Sequence, residues 1–163
     1  MKILRVSACV IAILLGGVTV SSCGSSPSAP DPSQTSPTSS SECAQFVPEA
    51  PCGKYSSTAG FDDGKPIPWV TAGEVTAQLS KRGGHTYLTV VMPCGPLDAV
   101  ATINGNTMRL AEQALGASGC IDPAKGEQKA WVLKFLEGDV ELGYSNDTLT
   151  WKKGKDSLSF VTR

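Results

Sequence analysis

Cys43, Cys52, Cys94 and Cys120 are the residues of this chain best placed to do chemistry. Thiols can bind zinc, act as nucleophiles or pair as disulfides. Zinc is disfavoured because no two of them stand at C-x2-4-C spacing and the one histidine, His85, lies far from all four. A cysteine nucleophile needs a free thiol of low pKa beside a histidine, and an even count leaves none spare. In an exported chain four cysteines imply two disulfides with three possible pairings. Cys43 with Cys52 and Cys94 with Cys120 is the preferred arrangement. The first closes a short loop through Pro48 and Pro51, the second a longer one across the strand-rich region.

The remaining chemical candidates are weak. His85 follows Arg82-Gly83-Gly84 and is expected as a solvated turn residue. Serine hydrolysis calls for a Gly-x-Ser-x-Gly elbow. The segment Gly116-Ala117-Ser118-Gly119 has no such pattern and leads straight into Cys120. Asp62-Asp63-Gly64-Lys65 lacks the alternating oxygen ligands and terminal Glu of an EF-hand, so a turn is expected there. Gly83-Gly84 lacks the strand–helix context of a phosphate loop. No catalytic residue, metal ligand or cofactor site is therefore expected, and the chain is not expected to be an enzyme.

Cys23 differs from the other cysteines in position. Lys2 and Arg5 precede an apolar stretch over residues 6–20, and Val20-Ser21-Ser22-Cys23-Gly24 follows. A basic start, a short apolar core and small residues before a cut describe a secretory signal. The stretch is shorter than the roughly 20 residues a membrane-spanning helix needs. With Cys at the +1 position the segment resembles the lipobox of bacterial lipoproteins. That resemblance implies cleavage after residue 22, a diacylglycerol on the Cys23 thiol, and a cell-membrane location facing the extracytoplasmic side. Two or more acyl chains anchor stably where one is marginal.

The whole chain carries 14 basic and 15 acidic residues, a formal charge of −1. Loss of Lys2 and Arg5 with the signal would leave 12 against 15, or −3. No basic patch invites nucleic acid, and none is expected as a partner. Residues 24–41 are almost wholly Ser, Pro, Thr and Ala, without apolar surface to offset ordering entropy. Residues 23–41 are thus expected as a disordered linker, stiffened by prolines. Residues 42–163 are long enough for one domain.

The elements that must position these residues are mostly strands. Candidates are residues 67–70, 74–79, 86–92, 99–103, 107–111, 140–144, 148–151 and 157–161. Asn104-Gly105-Asn106 carries a hairpin signal. One helix is expected after Asp122, a good N-cap, with Pro123 at its first position. Ala124, Trp131, Val132, Phe135 and Leu136 share one face of it, and Gly138 follows its end. Trp69, Trp131, Trp151, Phe135 and Phe160 are expected in the core.

From Trp69 to Thr162 the order of parts resembles a META domain, the fold of HslJ-like bacterial envelope proteins. An early Trp69 precedes the β-rich run ending in Met92-Pro93-Cys94-Gly95. A Gly-turn hairpin then leads to Gly119-Cys120, a helix carrying Glu127, Trp131 and Phe135, and the closing strands around Trp151 and Phe160. The family usually has Gly-Cys-Asn where this chain has Pro93-Cys94-Gly95. It favours a Thr shortly before the second cysteine, where Gly116-Ala117-Ser118-Gly119 stands here. The resemblance implies a role in envelope maintenance or stress tolerance and brings no catalytic residues. The expected fold is mainly β (α+β), a small antiparallel, barrel-like META-type domain with one helix and an N-terminal disulfide clasp. The expected function is a non-enzymatic, lipid-anchored one with an envelope protein as partner. The alternative is a periplasmic inhibitor of a secreted hydrolase, acting through the loop at Ser145-Asn146-Asp147 or at residues 152–156.

Overall fold

The computed structural model describes residues 41–116 and 119–163. The expected signal peptide, Cys23, nearly all of the expected linker and Ser118 lie outside the described residues.

Among the described residues, ten antiparallel strands and one α-helix form the domain. The strands are β1 (Glu42–Ala44), β2 (Lys54–Asp62), β3 (Lys65–Pro66), β4 (Thr76–Arg82), β5 (His85–Met92), β6 (Gly95–Asn104), β7 (Thr107–Leu115), β8 (Asp139–Ser145), β9 (Thr148–Lys153) and β10 (Asp156–Thr162). Helix α1 (Pro123–Phe135) separates β7 from β8. From β4 to β10 each strand pairs with the next in sequence, and β10 returns to β2. β2 then pairs with β4 over Thr76 to Gln78, closing an eight-stranded barrel. Where β2 stops, β1 takes over the same edge of β4, with Ala44 opposite Leu79 and Cys43 opposite Ser80. The Cys43–Cys52 disulfide, with Cα atoms 5.9 Å apart, joins the two strands that share this edge.

Alternation along the strands places one side of each in the barrel. Leu79, Leu88, Val90, Leu97, Met108, Val140, Leu149, Leu158 and Phe160 are all fully buried. A barrel of eight strands is just wide enough for side chains to fill, and here aromatic rings do most of the filling. Trp151 lies 4.7 Å from Phe160 and 5.4 Å from Phe46, and Phe46 meets Tyr55 edge-on at 5.5 Å. Phe46 comes from the loop between β1 and β2, so the segment tied down by the first disulfide adds a ring to the core. The Tyr55 hydroxyl donates to the Pro51 carbonyl at 2.6 Å. Burial is the main reason the Tyr55 hydroxyl is harder to ionise than an ordinary tyrosine, with Tyr144 adding to the effect.

Besides the short strands β1 and β3, which the sequence-based expectations lacked, two larger features depart from them. Residues 67–70 form no strand; Pro68–Ala72 is a 3-10 helix instead. Pro68 stands at its start, where a missing N–H costs nothing, and Gly73 ends it at φ 75°, a conformation that glycine adopts without strain. The segment lies against β2 because Gly60 has no side chain: a Cβ there would stand 3.0 Å from Val70 Cγ2. The second departure is β2 itself, a nine-residue strand absent from the expectations. Its Ser-Ser-Thr centre carries no apolar alternation, yet Ser56 and Ser57 are buried.

Ser57 explains why a polar residue belongs there. Its hydroxyl donates to the Val70 carbonyl at 2.8 Å and accepts from the Val75 N–H at 3.2 Å. Its own N–H donates to the Val75 carbonyl at 2.8 Å. One buried hydroxyl thus ties the 3-10 segment to the start of β4. Replacing Ser57 by alanine is expected to cost about 1–3 kcal/mol, since a buried carbonyl and N–H lose their partner. Urea unfolding measures this, and a change below a few tenths of a kcal/mol would refute the bridging role.

Candidate functional site

The 3-10 segment and α1 meet at one end of the barrel, and each contributes a tryptophan. Pro68 and Gly73 bracket Trp69 within a five-residue segment. Asp122 caps α1 as its sequence promised, with its carboxylate accepting the Ala124 N–H at 2.9 Å. At the other end the Lys153 ammonium donates to the Lys134 carbonyl at 3.0 Å and also to that of Glu137. Val132, Phe135 and Leu136 are buried beneath the helix. Trp131, one turn before Phe135, stacks on it at 5.4 Å with planes 16° apart. Trp69 stands 6.1 Å from Trp131, nearly perpendicular at 82°.

A groove of about 300 Å³ opens at this indole corner. Ile67 contributes to its lining along with Asp62 at the end of β2 and Glu127 and Gln128 on α1. The expectation that all five large aromatics belong to the core therefore needs correction. Trp151, Phe135 and Phe160 are buried, while Trp69 and Trp131 pack half-buried against that core and also wall a surface groove. Trp69 stays at the edge of the core, in a 3-10 segment that begins at Pro68 instead of a sheet strand. Ala124, assigned to the buried helix face, is likewise exposed on this groove.

The Cys94–Cys120 disulfide fixes the start of α1, the helix that carries Trp131. Its Cα atoms are 5.3 Å apart, and it joins the β5–β6 turn to the segment entering α1. Cys120 Sγ would be 3.8 Å from a side chain at Gly126, so the bridge lies against the first turns of the helix. Both pairings are the preferred ones.

The other chemical candidates do not converge. His85 is exposed beside the Gly83-Gly84 turn, and its cross-strand partner Arg82 lies over the Tyr87 ring at 4.5 Å. Asp63 pairs with Lys155 at 3.1 Å, and its N–H donates to Asp156 at 2.7 Å, so it links two turns. Arg109 and Asp139 face each other across the short β7–β8 pairing at 2.7 Å. The hydrogen bond from Arg109 holds the Asp139 carboxyl below the usual carboxylate range, but both groups are exposed and such pairs add little to stability. Among the described residues no three His, Cys, Asp or Glu side chains gather as a metal site. No helix among them is long and apolar enough to cross a membrane.

No family model matches this chain, and no curated protein matches it. Two NMR structures are similar to it, and the first of them shares its fold. One, from Burkholderia xenovorans, is 14% identical over 84% of this chain and 98% of that one, with a TM-score of 0.54. The other is 13% identical over 67% of this chain and 87% of that one, with a TM-score of 0.48. At such identity the likeness concerns the fold alone.

Proposed function

We propose that this protein is a lipid-anchored envelope lipoprotein whose META-like barrel binds a partner and performs no catalysis, in a role of envelope maintenance or stress tolerance. The observation that carries the binding reading is the half-buried indole corner of Trp69 and Trp131, a concave aromatic surface outside a barrel already filled by its own side chains. Large aromatic groups left partly exposed in a groove are a common basis of recognition. The signal-like start and Cys23 support the anchor.

Cys23→Ala is expected to move the protein from the membrane fraction to the soluble extracytoplasmic fraction. Retention of the variant in the pellet after a carbonate wash would refute lipid anchoring. Cross-linking of the anchored protein in intact cells, followed by mass spectrometry, tests the binding role. A stoichiometric envelope partner supports it, and recovery of abundant bystanders alone counts against a protein partner.

One observation favours the inhibitor reading as a second possibility. β7 pairs with β8 only as far as Glu141, so the β8–β9 hairpin continues beyond its neighbour to a tight turn at Asn146 and Asp147, with φ of 49° and 59°. A tight two-residue turn, free on its β7 side and flanked by β10 as far as Leu149 on the other, has the form of a loop presented to another protein's active site. Under this reading the captured partner is a hydrolase, and substitution of Asn146 and Asp147 relieves its inhibition.

A further inference from the structure

We propose that the groove between Trp69 and Trp131 takes a small alkylammonium compound, its cationic head seated in the indole corner. This rests on the binding role proposed above and specifies the chemistry of that site. Two observations carry it, and a third feature does not oppose it. The two indole planes stand 82° apart with centroids 6.1 Å from one another, giving two aromatic walls at a right angle. Asp62 and Glu127 line the same groove, Gln128 adds an amide, and no lysine or arginine lines it. The positive end of α1 also opens near Ala124, but the Asp122 carboxylate accepts its N–H and offsets it.

Charge decides among ligand classes. The negative faces of indole rings attract organic cations, and two carboxylates on the rim add to that field while repelling an anion. A volume of about 300 Å³ suits a trimethylammonium-sized head with a short tail. The third tryptophan provides an internal control, because Trp151 is sealed inside the barrel and cannot touch a ligand in the groove.

The test uses the full chain in non-ionic detergent, with the three indole N–H signals followed by NMR. Choline is titrated against 3,3-dimethylbutan-1-ol, which has the same shape without the charge. Choline is expected to shift the Trp69 and Trp131 signals, leave Trp151 in place, and bind about ten-fold more tightly than the alcohol. The surface double variant Asp62→Asn/Glu127→Gln is expected to weaken choline about ten-fold while leaving the Trp151 signal and the melting temperature unchanged. Equal binding of the alcohol overturns the cation assignment and leaves the groove as a binding site. Unchanged choline affinity in the double variant overturns the role of the carboxylates, and with it the proposal. Absence of any shift at Trp69 and Trp131 overturns the proposal outright, whereas the broader binding role is decided separately by capture of a partner in cells.

Discussion

Truncation of Trp151 to alanine is expected to destabilise the domain by about 3–5 kcal/mol, a large part of the roughly 5–15 kcal/mol that holds a domain of this size together. Trp151 is fully buried, and its ring touches Phe46 on one side and Phe160 on another. Removing it leaves a cavity between β9, β10 and the loop that supplies Phe46. A barrel cannot close such a gap easily, because its strands are hydrogen-bonded into a ring. Trp151→Phe makes the sharper comparison. The indole N–H is buried without a hydrogen-bond partner among the described residues, so the wild-type ring carries an uncompensated desolvation cost of about 1–3 kcal/mol. Phenylalanine gives up volume and sheds that cost at once, and its net effect is expected to fall well below that of alanine. Urea unfolding of the two variants measures the difference. A loss for Trp151→Phe as large as that for alanine would refute this account of the site.

Removal of the Cys94–Cys120 bridge by a double serine substitution is expected to cost about 3.5 kcal/mol, against about 2.5 kcal/mol for the Cys43–Cys52 pair. The order follows from the sequence separations of 26 and 9 residues, since a longer loop loses more entropy when it is closed in the unfolded chain. The two losses should also differ in kind. Cys94–Cys120 lies against the start of α1, so its removal should disturb the Trp131 indole signal and leave Phe46 packed. Removal of Cys43–Cys52 should do the reverse, because it holds the segment that supplies Phe46. Thermal unfolding combined with NMR of the two double variants reads both effects. A smaller loss for the longer loop would show that native-state contacts outweigh chain entropy here.

The parts legible in the sequence share a local cause. Asp122-Pro123 marked the start of α1 because capping is settled within one turn of chain. Asn104-Gly105-Asn106 marked the β6–β7 hairpin, and its two-residue turn has Gly105 at φ 60°. β5 announced itself through its richness in β-branched and aromatic residues. The disulfide pairing was favoured by loop length and agrees with the observed bridges.

What escaped was settled at a distance. β2 is held by partners on β10 and β4, roughly twenty to a hundred residues away in the chain, and its serines are explained by hydrogen bonds to Val70 and Val75. Trp69 had the composition of a core residue, but Pro68 and the bare backbone of Gly60 placed it in a 3-10 segment beside the barrel.

The sequence by itself determined the strand-rich class, the single capped helix, the hairpin turns and the disulfide framework. It also carried the lipobox-like start on which the proposed anchor rests. Closure of the barrel, the place of Phe46 within it and the corner formed by Trp69 and Trp131 were decided only in three dimensions. Periodicity and capping are properties of neighbouring residues, whereas an indole stays half-exposed or becomes buried according to which distant element arrives to cover it.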